Sequence, residues 1–181
     1  MDEKIRLDIG CGAKKRKGYI GLDFVDHTVL YPKGEFVTAD IDKVGIPFPE
    51  NSVTRIFSHE SMEHFKRFEF VMDEVVRVCK NNAIVEIIVP HNVSDGAFYE
   101  KHYTFFRVKS FQGEYELESL PYKVEKVKIL FWKKPGWLFF PNYLWEFLFN
   151  LHPRVLDFYH KTGLKFLFPA WSFYYKLRIK K

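Results

Sequence analysis

Short apolar segments, separated by turns that contain Gly, Pro or Asn, run through the first half of the chain. Segments of this length and spacing are typical of β-strands. They cover residues 5–9, 19–23, 35–39, 53–58 and 84–89. The last segment is apolar at nearly every position, which indicates a central strand of a parallel sheet. The pattern therefore predicts an α/β fold.

A helical pattern separates the fourth and fifth of these strands. From about residue 69 to residue 80, apolar residues recur on one side of the predicted helix. They are Phe70, Val71, Val75, Val78 and Cys79. Towards the C-terminus, segments 122–132 and 172–180 predict an antiparallel pair that closes the sheet. In the second of these, basic residues alternate with Leu177 and Ile179, which favours a strand with one face in solvent.

The connections between the first strands are short. Only residues 11–18 separate strands one and two, whereas a crossover between parallel strands takes about 10–12 residues or more. The next two connections are also short and contain Pro and Gly. Helices normally cover both faces of a parallel sheet. We therefore expect reduced helices in the N-terminal half, with the sheet shielded by a partner subunit or by the C-terminal segment.

An aromatic-rich segment lies before the last strand. Residues 131–175 contain all four tryptophans and half of the aromatic residues. Two apolar stripes at helical spacing follow each other, one on each side of Pro153, and we interpret residues 133–170 as a helical insert. Three roles are open for it: packing on the sheet, a dimer interface, or an interfacial membrane helix next to an acceptor with a lipid tail.

Length and composition limit the class of protein. A chain of 181 residues is expected to form one domain, 1–181. Two cysteines without a C-x-x-C motif argue against a disulfide scaffold and against zinc, so no metal site is predicted. The N-terminus does not resemble a signal peptide, and the apolar run 136–151 is shorter than the ~20 residues of a membrane span. We expect a cytoplasmic protein whose net charge of +5 mildly favours anionic partners.

Candidate chemistry begins where the first strand ends. Gly10 and Gly12 allow the backbone to approach a ligand closely, and Asp23 ends the next strand, where a carboxylate can accept hydrogen bonds from ribose hydroxyls. A dinucleotide site fits poorly, because Lys15 replaces the third glycine and Asp23 comes earlier than the ~20 residues expected. Asp8, just before the glycines, suits a ligand with an ammonium group.

At these residues the chain resembles the class I S-adenosylmethionine-dependent methyltransferases. The resemblance continues in order over roughly the first 110 residues, which makes it more specific than any single motif. The matching segments are Leu7-Asp8-Ile9-Gly10-Cys11-Gly12, Val37-Thr38-Ala39-Asp40-Ile41, residues 46–53, residues 56–65 with Glu63-His64, Arg77-Val78-Cys79-Lys80, and His102-Tyr103-Thr104-Phe105-Phe106 with Ser110-Phe111. Thr54 and Asn81-Asn82 depart from the family pattern. The resemblance implies a Rossmann-like, mostly parallel seven-stranded sheet with an antiparallel last strand.

The resemblance also implies S-adenosylmethionine as cofactor and assigns roles to the residues that bind it. Asp8, Gly10, Cys11 and Gly12 would face the methionine portion. Asp23 would bind the ribose hydroxyls. Asp40 would accept a hydrogen bond from the adenine amine, and Ile41 would pack on the ring. Ser58 and His59 would close over the cofactor after the fourth strand.

A general base is needed only if the acceptor is protonated at the working pH. The candidates are His59, His64, His91 and His102. His91 follows strand five, at the edge where open α/β sheets bind ligands, and could take a proton near neutrality or could instead cap a backbone group. Glu63-His64 either anchors a helix start or lines the acceptor pocket. His59 and His64 are five positions apart, not the four of a zincin helix.

The acceptor is less well defined by the sequence. Strand five ends in Val89-Pro90-His91-Asn92, without the Asn-Pro-Pro-aromatic loop of enzymes that methylate amino groups of nucleic-acid bases, and no RNA-binding module is present. We therefore expect methyl transfer to an oxygen or nitrogen atom of a small, glycan-linked or lipid-linked acceptor, with a homodimer and peripheral membrane contact both allowed. The alternative is a catalytically idle module for S-adenosylmethionine binding or protein association.

Overall fold

The fold is built on one seven-stranded sheet. The computed structural model describes residues 4–112, 120–132 and 140–181. Its strands are β1 (Ile5–Ile9), β2 (Ile20–Asp23), β3 (Phe36–Thr38), β4 (Val53–His59), β5 (Cys79–Pro90), β6 (Tyr122–Leu130) and β7 (Ser172–Ile179). Their order is β3-β2-β1-β4-β5-β7-β6. β1 to β5 are parallel, and β7 runs antiparallel to both neighbours. The predicted Rossmann-like fold with an antiparallel last strand is confirmed.

Helices are few and short before the fourth strand. The α-helices are α1 (Ile41–Val44), α2 (Phe68–Val78), α3 (Phe140–Phe149), α4 (Pro153–Lys161) and α5 (Leu164–Leu167). Within the described residues, 3-10 helices cover Thr28–Leu30, Met62–His64 and Asp95–Phe98. The connection from β1 to β2 contains turns only. The predicted reduction of helices in the N-terminal half is confirmed.

The two faces of the sheet have different chemistry. On one face every strand except β3 contributes buried apolar residues, and α2 packs there through Val71, Val75 and Val78. On the other face the alternate positions are mostly polar: Arg6 and Arg55 are exposed, and Glu86, Lys176 and Arg178 are half-buried. Strands with one solvated face do not need helices on both sides. The polar face therefore needs less cover than an apolar one, while shielding by a partner subunit stays a prediction.

The aromatic insert packs on the same apolar face. Phe149 and Tyr159 are buried, with ring centroids 4.6 Å apart, and both rings pack near Phe131 beyond the end of β6. The carboxamide of Asn150 holds the insert to edge strand β6, since it accepts from the Ile129 amide at 2.9 Å and donates to the Ile129 carbonyl at 2.7 Å. Residues 133–139 of the expected insert lie outside the described residues.

The outer side of the insert is apolar and exposed. Its large exposed side chains are Phe140, Tyr143, Leu144, Phe147, Leu151, Phe158, Phe166 and Leu167. Packing on the sheet explains only the inner side. The two other roles considered for the insert, a dimer interface and a membrane interface, stay predictions and would involve this outer side.

Within the described ranges, no helix combines the length and the apolar character that crossing a bilayer requires.

Candidate active site

A cavity of about 580 Å³ lies at the carboxyl ends of β1, β2 and β4 and beside the loop after β3. We call it the main cavity. Its volume falls within the range of small-molecule sites, and this edge is where open α/β sheets bind ligands. The structure brings into it several residues that the sequence predicts for cofactor binding: Gly10, Gly12, Asp23, Asp40 and Ile41. Glu60, Ser61 and His64 line its other side.

The glycine pair shapes one wall of the main cavity. Both residues have positive φ, +66° at Gly10 and +53° at Gly12, a conformation that other residues rarely adopt. A Cβ at Gly10 would collide with the side chain of Ser61, whereas a Cβ at Gly12 would meet nothing within 4 Å. The space next to Gly12 is therefore open to a ligand.

Asp23 ends β2 and holds the glycine loop in place. One of its carboxylate oxygens accepts a hydrogen bond from the Gly12 amide at 2.8 Å, and the other accepts from the Val25 amide at 3.0 Å. The side chain is only 8% exposed. Each oxygen keeps a second lone pair, so the carboxylate can still accept hydrogen bonds from hydroxyl groups in the cavity.

Asp40 and Ile41 form the far end of the main cavity, at the start of α1. Ile41 is buried, and its aliphatic side chain belongs to the hydrophobic core. Asp40 forms a surface ion pair with Lys43 at 2.8 Å. Exposed pairs of this kind contribute little to stability, so the carboxylate can exchange this partner for a ligand.

Asp8 and His59 lie elsewhere, in a rear pocket of about 310 Å³ that meets the main cavity only at Gly10. Asp8 accepts a hydrogen bond from the Arg16 amide at 2.6 Å. Burial raises the pKa of Asp8, and the bond to Arg16 opposes this shift. Cys11 also lines the rear pocket, and burial raises the pKa of its thiol to about 11. Asp8 therefore acts here on the loop between β1 and β2.

Ser58 and His91 are both fully buried and line neither the main cavity nor the rear pocket. His91 stacks on Phe173 at 4.3 Å and on His160 at 5.1 Å. Its Nδ1 accepts a hydrogen bond from the Val93 amide at 3.2 Å. Burial, together with His160, lowers the pKa of His91 to about 3. His91 was expected either to take a proton near neutrality or to cap a backbone group. In the structure it caps the backbone amide of Val93.

A second group of side chains meets beside the main cavity. An adjacent pocket of about 280 Å³ is lined by Glu60, Glu63, His64, His102, Tyr99 and Trp171. Glu60 and His64 line both this adjacent pocket and the main cavity. The rings of His64 and His102 are 4.6 Å apart. Glu63 is 1% exposed, and burial, reinforced by Glu60, raises its pKa to about 7.

The positions of these residues in the sequence are a partial signal for this group. Glu63-His64 follows β4 and His102 follows β5, so all three lie beyond the carboxyl ends of neighbouring parallel strands. From the sequence, the two histidines are separate candidate bases, and Glu63-His64 is a candidate for a helix anchor or for lining the acceptor pocket, without a link to His102. Their convergence depends on the loop after β5, where the amides of Tyr103 and Thr104 donate to the Glu63 carbonyl at 2.8 and 3.3 Å.

The strand order, the glycine pair and the acids at successive strand ends define a class I methyltransferase fold with a nucleoside-sized cavity. Residues 7–87 match the sequence pattern of the methyltransferase domain family. This match runs from β1 into β5 and includes the glycine pair, Asp23 and Asp40. The resemblance to S-adenosylmethionine-dependent methyltransferases is thereby confirmed. No curated protein matches the chain in sequence.

Solved structures share the fold at low sequence identity. A chain from the complex between the Trm112 methyltransferase activator and a methyltransferase of Haloferax volcanii is 14% identical, with a TM-score of 0.63 over 97% of this chain and 81% of that chain. A SAM-dependent methyltransferase from Archaeoglobus fulgidus is 16% identical, with a TM-score of 0.61 over 98% and 87%. Phosphoethanolamine N-methyltransferase 2 of Haemonchus contortus, with phosphomonomethylethanolamine and S-adenosylhomocysteine, is 15% identical, with a TM-score of 0.55 over 99% and 50%.

Proposed function

We propose that the protein is an S-adenosylmethionine-dependent methyltransferase that acts on an oxygen or nitrogen atom of a small, glycan-linked or lipid-linked acceptor. The observation that carries this proposal is the junction of two pockets. The main cavity contains the glycine pair and two of the three acids expected for the cofactor, Asp23 and Asp40, and it shares Glu60 and His64 with the adjacent pocket. One pocket can hold the methyl donor while the other holds the acceptor.

The residues of the main cavity fit the cofactor part by part. Asp23 accepts hydrogen bonds from the ribose hydroxyls, and Asp40 accepts one from the adenine amine beside Ile41. The open space at Gly12 receives the methionine portion. Asp8 orients the glycine loop through Arg16, and Cys11 and His59 border it from the rear pocket. The cofactor supplies a methyl group on a sulfonium, so the protein contributes mainly by positioning the acceptor.

Of the two candidate catalytic histidines, His64 contacts the acceptor and His91 does not. His64 lines both pockets, whereas His91 is buried among aromatic rings with a pKa of about 3. A proton acceptor is needed only for an acceptor that is protonated at the working pH. His64 is our candidate for that task, because it lines both pockets.

Turnover tests this proposal. Purified protein is incubated with S-adenosylmethionine and a panel of hydroxylated, amine, glycan and lipid-linked acceptors, and release of S-adenosylhomocysteine is measured. Acceptor-dependent release supports the proposal. The His64→Gln variant should lose most of this activity, while His27→Gln, which changes a histidine outside both pockets, should keep it.

The alternative is a module that binds the cofactor without turnover and associates with other proteins. The exposed aromatic side of the insert favours this reading, because large apolar patches mark contact surfaces. Saturable cofactor binding without turnover across the whole acceptor panel would favour the alternative over an active enzyme.

A further inference from the structure

Glu63, His64 and His102 form a compact group of three ligand-type side chains. One ligand atom from each residue can be chosen so that all three lie within 4.8 Å of one another. Around a tetrahedral ion with bonds of about 2.0–2.2 Å, two ligand atoms lie about 3.3–3.6 Å apart. Binding therefore requires side-chain rotations that bring these atoms closer by up to about 1.5 Å.

Both histidines are held with one nitrogen ready to bind. Nδ1 of His64 lies 3.0 Å from the Lys101 carbonyl, and Nδ1 of His102 lies 3.2 Å from the Ala97 carbonyl. A carbonyl oxygen only accepts hydrogen bonds, so each Nδ1 carries the proton and donates it. In the neutral ring, Nε2 then presents its lone pair. Metal-binding histidines typically have their second nitrogen fixed in this way.

Glu63 supplies the negative charge and lacks a protein partner for it. Its side chain is 1% exposed and lines the adjacent pocket. In the described part of the chain, neither carboxylate oxygen accepts a hydrogen bond from another residue. A buried carboxylate without a partner is unfavourable. A bound cation would remove this penalty.

We propose that Glu63, His64 and His102 bind a divalent transition-metal ion, with zinc as the best match. Two imidazoles and one carboxylate suit zinc, cobalt, manganese or ferrous iron, whereas magnesium and calcium prefer oxygen ligands. Three protein ligands leave at least one coordination position open. All three residues line the adjacent pocket, and His64 also lines the main cavity, so a bound ion would be next to both.

Under the proposed function, on which this step rests, an acceptor hydroxyl occupies the open position. The metal ion stabilises the oxyanion, and the proton of the hydroxyl is released to solvent. The acceptor oxygen then forms a bond to the methyl carbon while the carbon–sulfur bond breaks and its electron pair stays on sulfur. His64 acts as a metal ligand in this scheme, and the metal ion takes the place of a general base.

Metal titration tests the site without requiring activity. Tag-free protein is stripped with a chelator, dialysed, and titrated with Co²⁺ by visible absorption and with Zn²⁺ by calorimetry. The expected result is one equivalent bound. Glu63→Gln and His102→Gln should each weaken metal binding by at least about tenfold. Loss of a residue that only supports a ligand already costs about that much, and each of these variants removes a direct ligand. Glu69→Gln and His27→Gln, both away from the cluster, should bind as the unmodified protein does.

Circular dichroism and thermal melting verify that each variant is folded, and Glu63→Gln keeps the size of the side chain. Failure to bind either zinc or cobalt stoichiometrically would overturn the inference, as would equal affinity in the ligand variants and the controls. S-adenosylmethionine titration of the stripped protein separates the two proposals. Cofactor binding without metal binding overturns only the metal site, and metal binding without cofactor binding overturns only the proposed function.

Discussion

The carboxylate of Asp23 and the amide of Gly12 are joined by a hydrogen bond of 2.8 Å between the ends of β2 and β1. The bond fixes the glycine loop in a conformation with positive φ at both glycines. The same carboxylate lines the main cavity. One side chain thus shapes the loop and offers oxygen atoms to a ligand.

Replacing Asp23 with Ala should weaken S-adenosylmethionine binding by at least about tenfold. The variant loses charge-assisted hydrogen bonds worth about 1.5–3 kcal/mol, and the loop loses its anchor. Calorimetric titration measures the change. Asp73→Ala removes an exposed acid on α2 and serves as the control. Equal affinities in the two variants would show that the ribose does not contact Asp23.

Gly12 and Gly34 provide a matched pair for the cavity wall. Both have positive φ, and a Cβ at either position meets no atom within 4 Å. Gly12→Ala and Gly34→Ala should therefore cost similar stability, about 1–2 kcal/mol from backbone strain. Only Gly12→Ala should reduce cofactor affinity, because its methyl group enters the main cavity. Thermal melts and calorimetry separate the two effects, and equal affinities would exclude close ligand approach at Gly12.

Gly10 should be sensitive to substitution because of Ser61. A methyl group at Gly10 would overlap the Ser61 side chain, in addition to the strain of φ +66°. We expect Gly10→Ala to cost about 2–4 kcal/mol of unfolding free energy. Combining it with Ser61→Gly should recover at least about 1 kcal/mol in a double-mutant cycle. Additive effects, measured by urea unfolding, would contradict the predicted overlap.

Acid should destabilise the protein through His91 and His160. Burial lowers their pKa values to about 3 and about 4, whereas unfolded histidine titrates near pH 6.5. Between about pH 6.5 and pH 4 the unfolded chain binds more protons, so stability falls as the pH falls, by about 1.4 kcal/mol per pH unit for each excess proton. Above pH 6.5 this contribution is constant.

Urea unfolding at several pH values measures that slope. His160→Gln should reduce the acid sensitivity by about one proton relative to the unmodified protein, and His27→Gln should leave it unchanged. Parallel pH profiles for the unmodified protein and His160→Gln would mean that His160 is not held neutral in the fold.

Asn150 should matter for the attachment of the insert. Its carboxamide satisfies both backbone groups of Ile129 on the edge strand. Asn150→Ala leaves a partly buried donor and acceptor without partners, which should cost about 1–3 kcal/mol. Asn142→Ala, which removes one exposed bond to the Trp132 carbonyl, should cost less. Equal losses in urea unfolding would contradict this role.

The strands and the glycine motif were predictable because they depend on local patterns. The alternation of Leu177 and Ile179 with basic residues indicated that β7 has one buried and one solvated face. The short connection of residues 11–18 indicated that no helix follows β1. The same patterns predicted that Asp23 lies at the end of a strand. By contrast, the apolar run in β5 predicted burial on both faces, although Glu86 is only half-buried.

The side-chain environments were harder to predict from the sequence. His91 follows β5 as expected, but the packing of Phe173 and His160 from distant elements buries it. Asp8 precedes the glycines as expected, yet the alternation of the strand directs it to the rear pocket. The meeting of Glu63 with His102 depends on a loop folding back after β5, which no local pattern encodes.

Calorimetric titration of the purified protein with S-adenosylmethionine, S-adenosylhomocysteine and NAD would show whether the main cavity is the cofactor site. We expect saturable one-to-one binding of the first two ligands, weakened in Asp23→Ala, and no binding of NAD. Absence of binding by both methyl-cycle ligands would contradict this expectation, because the main cavity would then not be a cofactor site.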